Sequence, residues 1–290
     1  MKEALLYQKL ANKSVKCLVC NHYCIIKNGE KGKCRVRENV DGILYTLNYG
    51  KTIAIGNDPI EKKPIYHYLP HTRSYSLATV GCNFTCKWCQ NYDISQYPQT
   101  HDDIIGEMIT PEAHVEAAVK EKCKSIAYTY SEPTIFLEYA YDIMKLAHKH
   151  GLKNIWVTNG YMSKETLELI LPFLDAINID LKGFDDKIMF KYCGGLVKPV
   201  KDNIIRVYNS HVHLEITTLV VPGVNDSLEE LRKIAEFISS CLSNDVPWHV
   251  TRFYPAWKMS NIDPTNIEIL KQAKTIGEKI GLKHVHIGNI

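Results

Sequence analysis

No apolar run in this chain approaches the ~20 residues that a membrane-spanning helix requires, and Met1 to Leu10 has neither the apolar stretch nor the cleavage site of a secretory signal. A soluble cytoplasmic protein is the expectation, with no membrane partner. An excess of one charge is missing too, since 35 basic residues stand against 32 acidic ones. That balance gives no reason to expect a nucleic acid as partner. Cysteine, by contrast, is plentiful, with ten in 290 residues. Without a secretory signal these read as free thiols or metal ligands in a reducing compartment rather than as disulfides. The length suits one large α/β domain with an appendage, or two modest domains.

Cys82, Cys86 and Cys89 follow the apolar run 75–80 and Gly81 at C-x3-C-x2-C spacing. Thiolates hold a [4Fe-4S] cluster, and four normally complete it. Three with no fourth close by leave one iron open to a small molecule that brings its own amine and carboxylate, as S-adenosylmethionine (SAM) does. That pairing supports radical chemistry. The same spacing also fits a buried thiol cluster or half of a zinc site. Trp88, just before the last cysteine, suits the face of an adenine or an ordinary place in the core.

Upstream, residues 3–11 have helical apolar spacing. Cys17, Cys20, Cys24 and Cys34 then form a C-x2-C-x3-C-x9-C pattern with Gly29 and Gly32 in its spacer. It reads as a four-thiolate metal site on loops, for which zinc and a second iron-sulfur cluster are both suitable. Reduced thiols without metal, or a disulfide pair, are the alternatives, and His22 is available to replace one thiolate. Alternation over 43–55 around Asn48-Tyr49-Gly50 predicts a β-hairpin. The boundary falls near residue 70, giving a cysteine-rich metal-binding segment over 1–70 and a main domain over 71–290.

In that main domain, strand-like runs at 75–80, 125–130, 153–158, 176–181, 213–221, 248–253 and 284–287 alternate with helical patterns. Thr110-Pro111, Pro133, Ser163 with Thr166, Asp226 with Glu229, and Pro264 mark helix starts. Cys123 and Cys241 fall near helix ends as small core residues. Repeated β-α units build a parallel sheet. Six or seven strands are too few for a closed eight-stranded barrel, so the fold class is α/β, a partial (β/α)6 barrel with a small N-terminal cysteine-rich appendage. A doubly wound open sheet is the alternative. In both, ligands bind beyond the carboxyl ends of the strands.

At those ends stand Gly81-Cys82, Tyr130-Ser131-Glu132-Pro133, Thr158-Asn159-Gly160, Asp180-Leu181-Lys182, Val221-Pro222-Gly223 and Arg252-Phe253-Tyr254-Pro255. With Cys82, Cys86, Trp88 and Cys89, the chain resembles the radical SAM superfamily. Ser131-Glu132-Pro133, Thr158-Asn159-Gly160 and Asp180-Leu181-Lys182 look like the group that includes the activating enzymes of pyruvate formate-lyase. The N-terminal cysteines, Asp58 to Pro64, Lys191 to Gly195 and the ending Gly288-Asn289-Ile290 resemble the AmmeMemoRadiSam-type enzymes.

The resemblance implies an oxygen-sensitive enzyme in which Cys82, Cys86 and Cys89 ligate a [4Fe-4S] cluster and SAM binds the open iron. Tyr130, Ser131 and Glu132 match the stretch that receives the amine of SAM through backbone carbonyls, although two family glycines are replaced here. Thr158 and Asn159 would line the SAM site, Lys182 would pair with its carboxylate, and Val221 would touch the adenine. Asp180 matches a carboxylate that helps bind a monovalent cation, with Val157 at the partner position. SAM would be cleaved reductively to a 5′-deoxyadenosyl radical that abstracts hydrogen from a small-molecule or protein substrate. Ferredoxin or flavodoxin would supply the electron. Activation of a glycyl-radical protein is one alternative, and a non-catalytic metal-binding scaffold is another. Cys193, in a glycine-rich loop, is the candidate catalytic residue. Arg252, Tyr254 and Lys258 are candidates for an anionic or protein substrate, whereas His249 and His286 read as satisfied strand histidines.

Overall fold

The structure, a computed structural model, describes residues 1–290. Eight strands form one sheet: β1 (Ala54–Pro59), β2 (Arg73–Ala78), β3 (Ser125–Tyr128), β4 (Lys153–Thr158), β5 (Ala176–Asp180), β6 (His213–Val220), β7 (Trp248–Arg252) and β8 (Val285–Gly288). They lie side by side in chain order. β1 runs antiparallel to β2, and every later pairing is parallel. β1 and β8 do not pair with each other, so the sheet is the partial barrel expected, with one antiparallel strand at its edge. All four residues of β3 are buried, as a strand covered on both faces requires.

The connections are α1 (Pro111–Lys120), α2 (Leu137–Lys149), α3 (Lys164–Ile170), α4 (Asp186–Cys193), α5 (Val197–Tyr208), α6 (Leu228–Cys241) and α7 (Ile267–Ile280). Thr110 and Ser163 cap α1 and α3 as expected. Ser227 rather than Asp226 caps α6, and Asn266 rather than Pro264 caps α7. Cys193 is not in a loop. It closes α4, and Gly194 ends that helix in a left-handed conformation at φ +83°.

Residues two apart on a strand share a face, and here that face divides the barrel interior into two levels. At the lower level, Ile60 and Ile65 from the β1–β2 connection pack on Ala127, Ile155 and Ala176. Asn178 Nδ2 donates to the Pro64 carbonyl at 2.8 Å, and the buried Glu215 accepts from the Tyr66 and His67 amides at 2.9 and 2.8 Å. His249, expected to be satisfied, donates to Glu215 at 2.6 Å. Residues 60–70 thus plug one end of the barrel, and the other end stays open.

The N-terminal segment departs most from expectation. Residues 3–11 are not a helix, because Lys2–Glu3 pairs with Ile43–Thr46 and Tyr7–Lys9 with Val15–Cys17. Tertiary pairing has overridden a weak local propensity. The hairpin turn is Asp41-Gly42, not Asn48-Tyr49-Gly50, and it joins Arg37–Val40 to Ile43–Thr46. Asp41 and Gly42 have φ values of +52° and +83°, as the turn type that matches strand twist demands. β1 lies before residue 70 yet belongs to the main sheet.

Val15, Val19, Ile26, Val36 and Leu44 share one apolar core with the barrel helices. The buried Arg37 of this segment donates to the buried Glu138 of α2 at 3.0 and 2.7 Å. Glu138→Ala would leave a guanidinium buried without its carboxylate and is expected to lower stability by about 3–5 kcal/mol, measured by urea denaturation. A loss within 1 kcal/mol would show that the pair does not anchor the segment.

Candidate active site

The open end of the barrel is a cavity of about 390 Å³. The upper-level residues Thr129, Val157, Asp180, Thr217, Leu219 and Thr251 line it, together with Cys82, Cys86, Trp88 and Cys89 from the loop after β2. That loop is held on two sides. Thr85 and Lys87 amides donate to the Cys193 and Tyr192 carbonyls at 2.9 and 3.0 Å, and Gln96 Nε2 donates to the Phe84 carbonyl at 3.0 Å. Gly81 has φ +108°, and a Cβ there would stand 2.9 Å from Val36 Cγ1, so the loop rests directly on the N-terminal segment.

All ten cysteines are free. No three cysteine, histidine or acidic side chains converge tightly enough to grip a single ion, so the fit of each thiol set rests on what surrounds it. Cys82, Cys86 and Cys89 are partly buried and open onto the cavity, while Cys193 is fully buried and does not line it. Three thiols facing a space this large suit a cluster with one open iron. Cys82 Sγ receives the Phe84 amide at 3.3 Å, and Cys89 Sγ lies 3.2 Å from Ser95 Oγ. Burial pushes the Cys82 and Cys89 thiols up, whereas a hydrogen bond from Cys193 and then the Lys182 ammonium hold Cys86 below the usual thiol range.

The stretch after β3 makes a tight three-residue turn. The Ser131 amide donates to the Thr129 carbonyl at 2.8 Å, and Tyr130 between them has φ +62°. A left-handed non-glycine residue stores about 1–3 kcal/mol. A clamp keeps it there: the Tyr130 hydroxyl donates to Asp58 at 2.7 Å, Lys63 donates to the same carboxylate at 2.8 Å, and Asn91 Nδ2 donates to the Tyr130 carbonyl at 2.8 Å. Although burial opposes it, the bonds from Lys63 and Tyr130 bring the Asp58 carboxyl down to about 2.

Glu132 is buried and accepts four bonds: the Thr134 amide at 3.1 Å, the Thr134 hydroxyl at 2.5 Å, the Thr158 hydroxyl at 2.6 Å and the Asn159 amide at 2.9 Å. Burial nevertheless keeps its carboxyl above the usual range. Asn159 in turn points Nδ2 at Asn83 Oδ1, 2.7 Å away, and at Cys82 Sγ, 3.8 Å away. Lys182 donates to Asp180 at 2.8 Å, and both line the cavity rather than forming a surface pair. Burial works against the Lys182 charge, but Asp180, Cys86 and Cys193 together hold its ammonium well above the ordinary lysine range.

The structure therefore brings together Trp88, Tyr130, Ser131, Glu132, Thr158, Asn159, Asp180 and Lys182 at one cavity. Val221 is fully buried outside it, and its amide is held by Asn225 at 2.6 Å. Arg252 and Tyr254 also lie outside. Arg252 donates to the Thr265 carbonyl at 2.9 Å and to Tyr254 at 3.2 Å. Lys258 sits over the Trp257 ring at 4.3 Å. Cys123 is buried as expected, but Cys241 is exposed at the end of α6, where the last turn has left the core. Sequence reasoning missed the Asp58–Lys63 clamp, although Gly56 marks it. A Cβ at Gly56 would collide with the Tyr130 hydroxyl. Gly56→Ala is expected to cost about 1–3 kcal/mol, and Tyr130→Phe in the same chain should recover part of that loss. Strict additivity in the double-mutant cycle would show that the two positions do not meet.

Comparison with known proteins agrees with this geometry. Over 290 residues, all of this chain and 86% of the relative, the chain is 43% identical to an uncharacterized protein of Methanocaldococcus jannaschii. It is 28% identical to the pyruvate formate-lyase-activating enzyme of Clostridium pasteurianum over 167 residues, 55% of this chain and 67% of that enzyme. Among solved structures, a radical SAM methyltransferase from Sphaerobacter thermophilus shares the fold with a TM-score of 0.58 at 12% identity, over 76% of this chain and 67% of the other. Residues 76–238, more than half of the 290, match the radical SAM superfamily. That stretch runs from β2 into α6 and contains the three-thiol loop with the strand ends that face it, so the chain belongs to the radical SAM superfamily.

Proposed function

We propose that Cys82, Cys86 and Cys89 hold a [4Fe-4S] cluster in the mouth and that SAM fills the space beside it. The observation that carries this reading is the division of thiols: three open onto a cavity of about 390 Å³ shared with Lys182 and the Tyr130 turn, while Cys193 is shut out. Bound there, the cluster and SAM supply one-electron reductive cleavage of the sulfur–C5′ bond, giving methionine and a 5′-deoxyadenosyl radical that takes hydrogen from a substrate. The chain supplies position and dryness. Carbonyls of the Thr129–Ser131 turn receive the methionyl ammonium, and Lys182 receives the carboxylate, oriented by Asp180. Trp88, Thr158 and Asn159 bound the pocket. Thr217, whose buried hydroxyl has no partner, and Leu219 take the adenine-side place expected of Val221. Cys193 supports Cys86 from behind rather than meeting substrate.

An electron donor such as ferredoxin or flavodoxin fits the reading, as does the reducing cytoplasm for ten free thiols. No helix is long and apolar enough to cross a membrane. The division near residue 70 is functional: residues 1–70 carry the plug, the Asp58–Lys63 clamp and a second metal, zinc or iron-sulfur, at Cys17, Cys20, Cys24 and Cys34, while 71–290 carry the three thiols and the strand ends of the radical site.

Activation of a glycyl-radical protein is the second reading, favoured by the likeness to a pyruvate formate-lyase-activating enzyme. A neighbouring cavity of about 610 Å³ also adjoins the mouth through Lys62, Lys63, Pro64, Tyr130, Thr251 and Asn289, giving room for a peptide. Anaerobic reconstitution with reductant should release methionine and 5′-deoxyadenosine, and Cys86→Ala should abolish both. Turnover that survives the substitution would remove Cys86 from the ligand set. No turnover by the intact protein would instead favour a metal-binding scaffold.

A further inference from the structure

Four lysines surround the outer side of the three-thiol loop, and none of them makes an ion pair. Lys87 stands in the loop itself, between Cys86 and Trp88. Its amide donates to the Tyr192 carbonyl at 3.0 Å, and its carbonyl accepts from the Lys258 amide at 3.0 Å. The Lys87 and Lys191 ammoniums each lie 5.0 Å from the centre of the Tyr192 ring, and Lys33 Nζ donates to the Gly194 carbonyl at 2.9 Å. Lys33, Lys191 and Lys258 are exposed.

The C-terminal end of α4 favours positive charge, which accounts for Lys33 and Lys191. It does not account for Lys87 or Lys258, whose ammoniums rest over the Tyr192 and Trp257 rings without an acid or an acceptor beside them. Asp93 is the one acid of residues 82–96, and it pairs with none of the four. A surface field of one sign left without counter-charge favours a partner of the other sign.

This face is not the mouth. Cys86 and Trp88 line the cavity, whereas the four lysines, Tyr192 and Trp257 do not. The Trp88 and Tyr192 rings lie 6.0 Å apart, so the lysine face backs directly onto the cavity wall. A partner docked there lies against the backbone that carries Cys86 and leaves the mouth free for substrate. A protein that yields a hydrogen atom needs the mouth, but one that yields only an electron does not.

We propose that Lys33, Lys87, Lys191 and Lys258 dock an acidic one-electron carrier protein. The electron route rests on the cluster reading above; the docking face does not. One electron leaves the reduced carrier and enters the cluster, and no bond forms or breaks. Redox encounters of this kind are small and transient, and charge complementarity steers them.

The test follows binding of an acidic flavodoxin to the full chain by the chemical shifts of isotope-labelled flavodoxin, a readout that needs no turnover. Raising the salt from ~0.05 to ~0.5 M should weaken binding about tenfold or more by screening. Lys87→Glu, Lys191→Glu and Lys258→Glu together should weaken it about tenfold at low salt, and the same three changes to Gln by less. In the reconstituted chain, the Glu variant should slow methionine release driven by reduced flavodoxin about tenfold. It should not slow release driven by reduced methyl viologen, a small cation that needs no docking face. No binding at low salt, or binding indifferent to salt and to the Glu variant, would overturn the docking face. Equal loss with both reductants would show that the lysines support the cluster loop itself, and would overturn it too. Failure of the intact chain to release methionine with either reductant would instead remove the cluster reading and the electron route with it, while the binding result still decides the face.

Discussion

A carboxylate buried without water must find its donors within the protein or give up its charge, and the mouth of this barrel is arranged around one such group. Glu132 collects Thr134 from its own turn and Thr158 and Asn159 from the end of β4. It therefore ties two neighbouring strand ends into one rigid edge. Because the Asn159 amide is among those donors, the same interaction aims the Asn159 side chain at Cys82 and Asn83. A polar network of this kind is worth most when every member is satisfied, since each unmet partner inside it is costly.

The β1–β2 connection serves both levels of the barrel. Ile60 and Ile65 shut the lower end, while Asp58 and Lys63 reach upward to hold Tyr130 in a backbone conformation it would otherwise leave. Local strain persists only where the surroundings over-determine it. Here an ion pair, a ring contact 4.6 Å from the Lys63 ammonium and a bond from Asn91 do so. The N-terminal segment contributes in the same way from the other side. Arg37 anchors it to α2, and Val36 supports Gly81.

Much of the barrel was legible because its signals are local. Alternation of β-like and helical runs located seven parallel strands, and Thr110 and Ser163 marked two helix starts by their own capping chemistry. The α4 and α5 helices were missed, as was the placement of Cys193 at the end of α4. The β-hairpin shows a different failure: Asp41-Gly42 carries the turn chemistry that the fold uses, whereas the alternation over 43–55 is centred on Asn48-Tyr49-Gly50. Residues 3–11 had helical spacing but too little local preference to resist pairing with strands far along the chain.

The sequence by itself determined where the thiols stand along the chain. Spacing of Cys82, Cys86 and Cys89, and of Cys17, Cys20, Cys24 and Cys34, is covalent information that folding cannot change. It also determined the succession of strands and the polar residues at their ends. Only the tertiary structure decided which of those residues meet. Val221 was one residue past its strand and turned into the core, Arg252 was drawn to Thr265, and Cys193 was buried behind Cys86. Asp58, Lys63 and Asn83 became part of the site through contacts across tens of residues. Such contacts depend on strand register and loop packing, which no local pattern encodes.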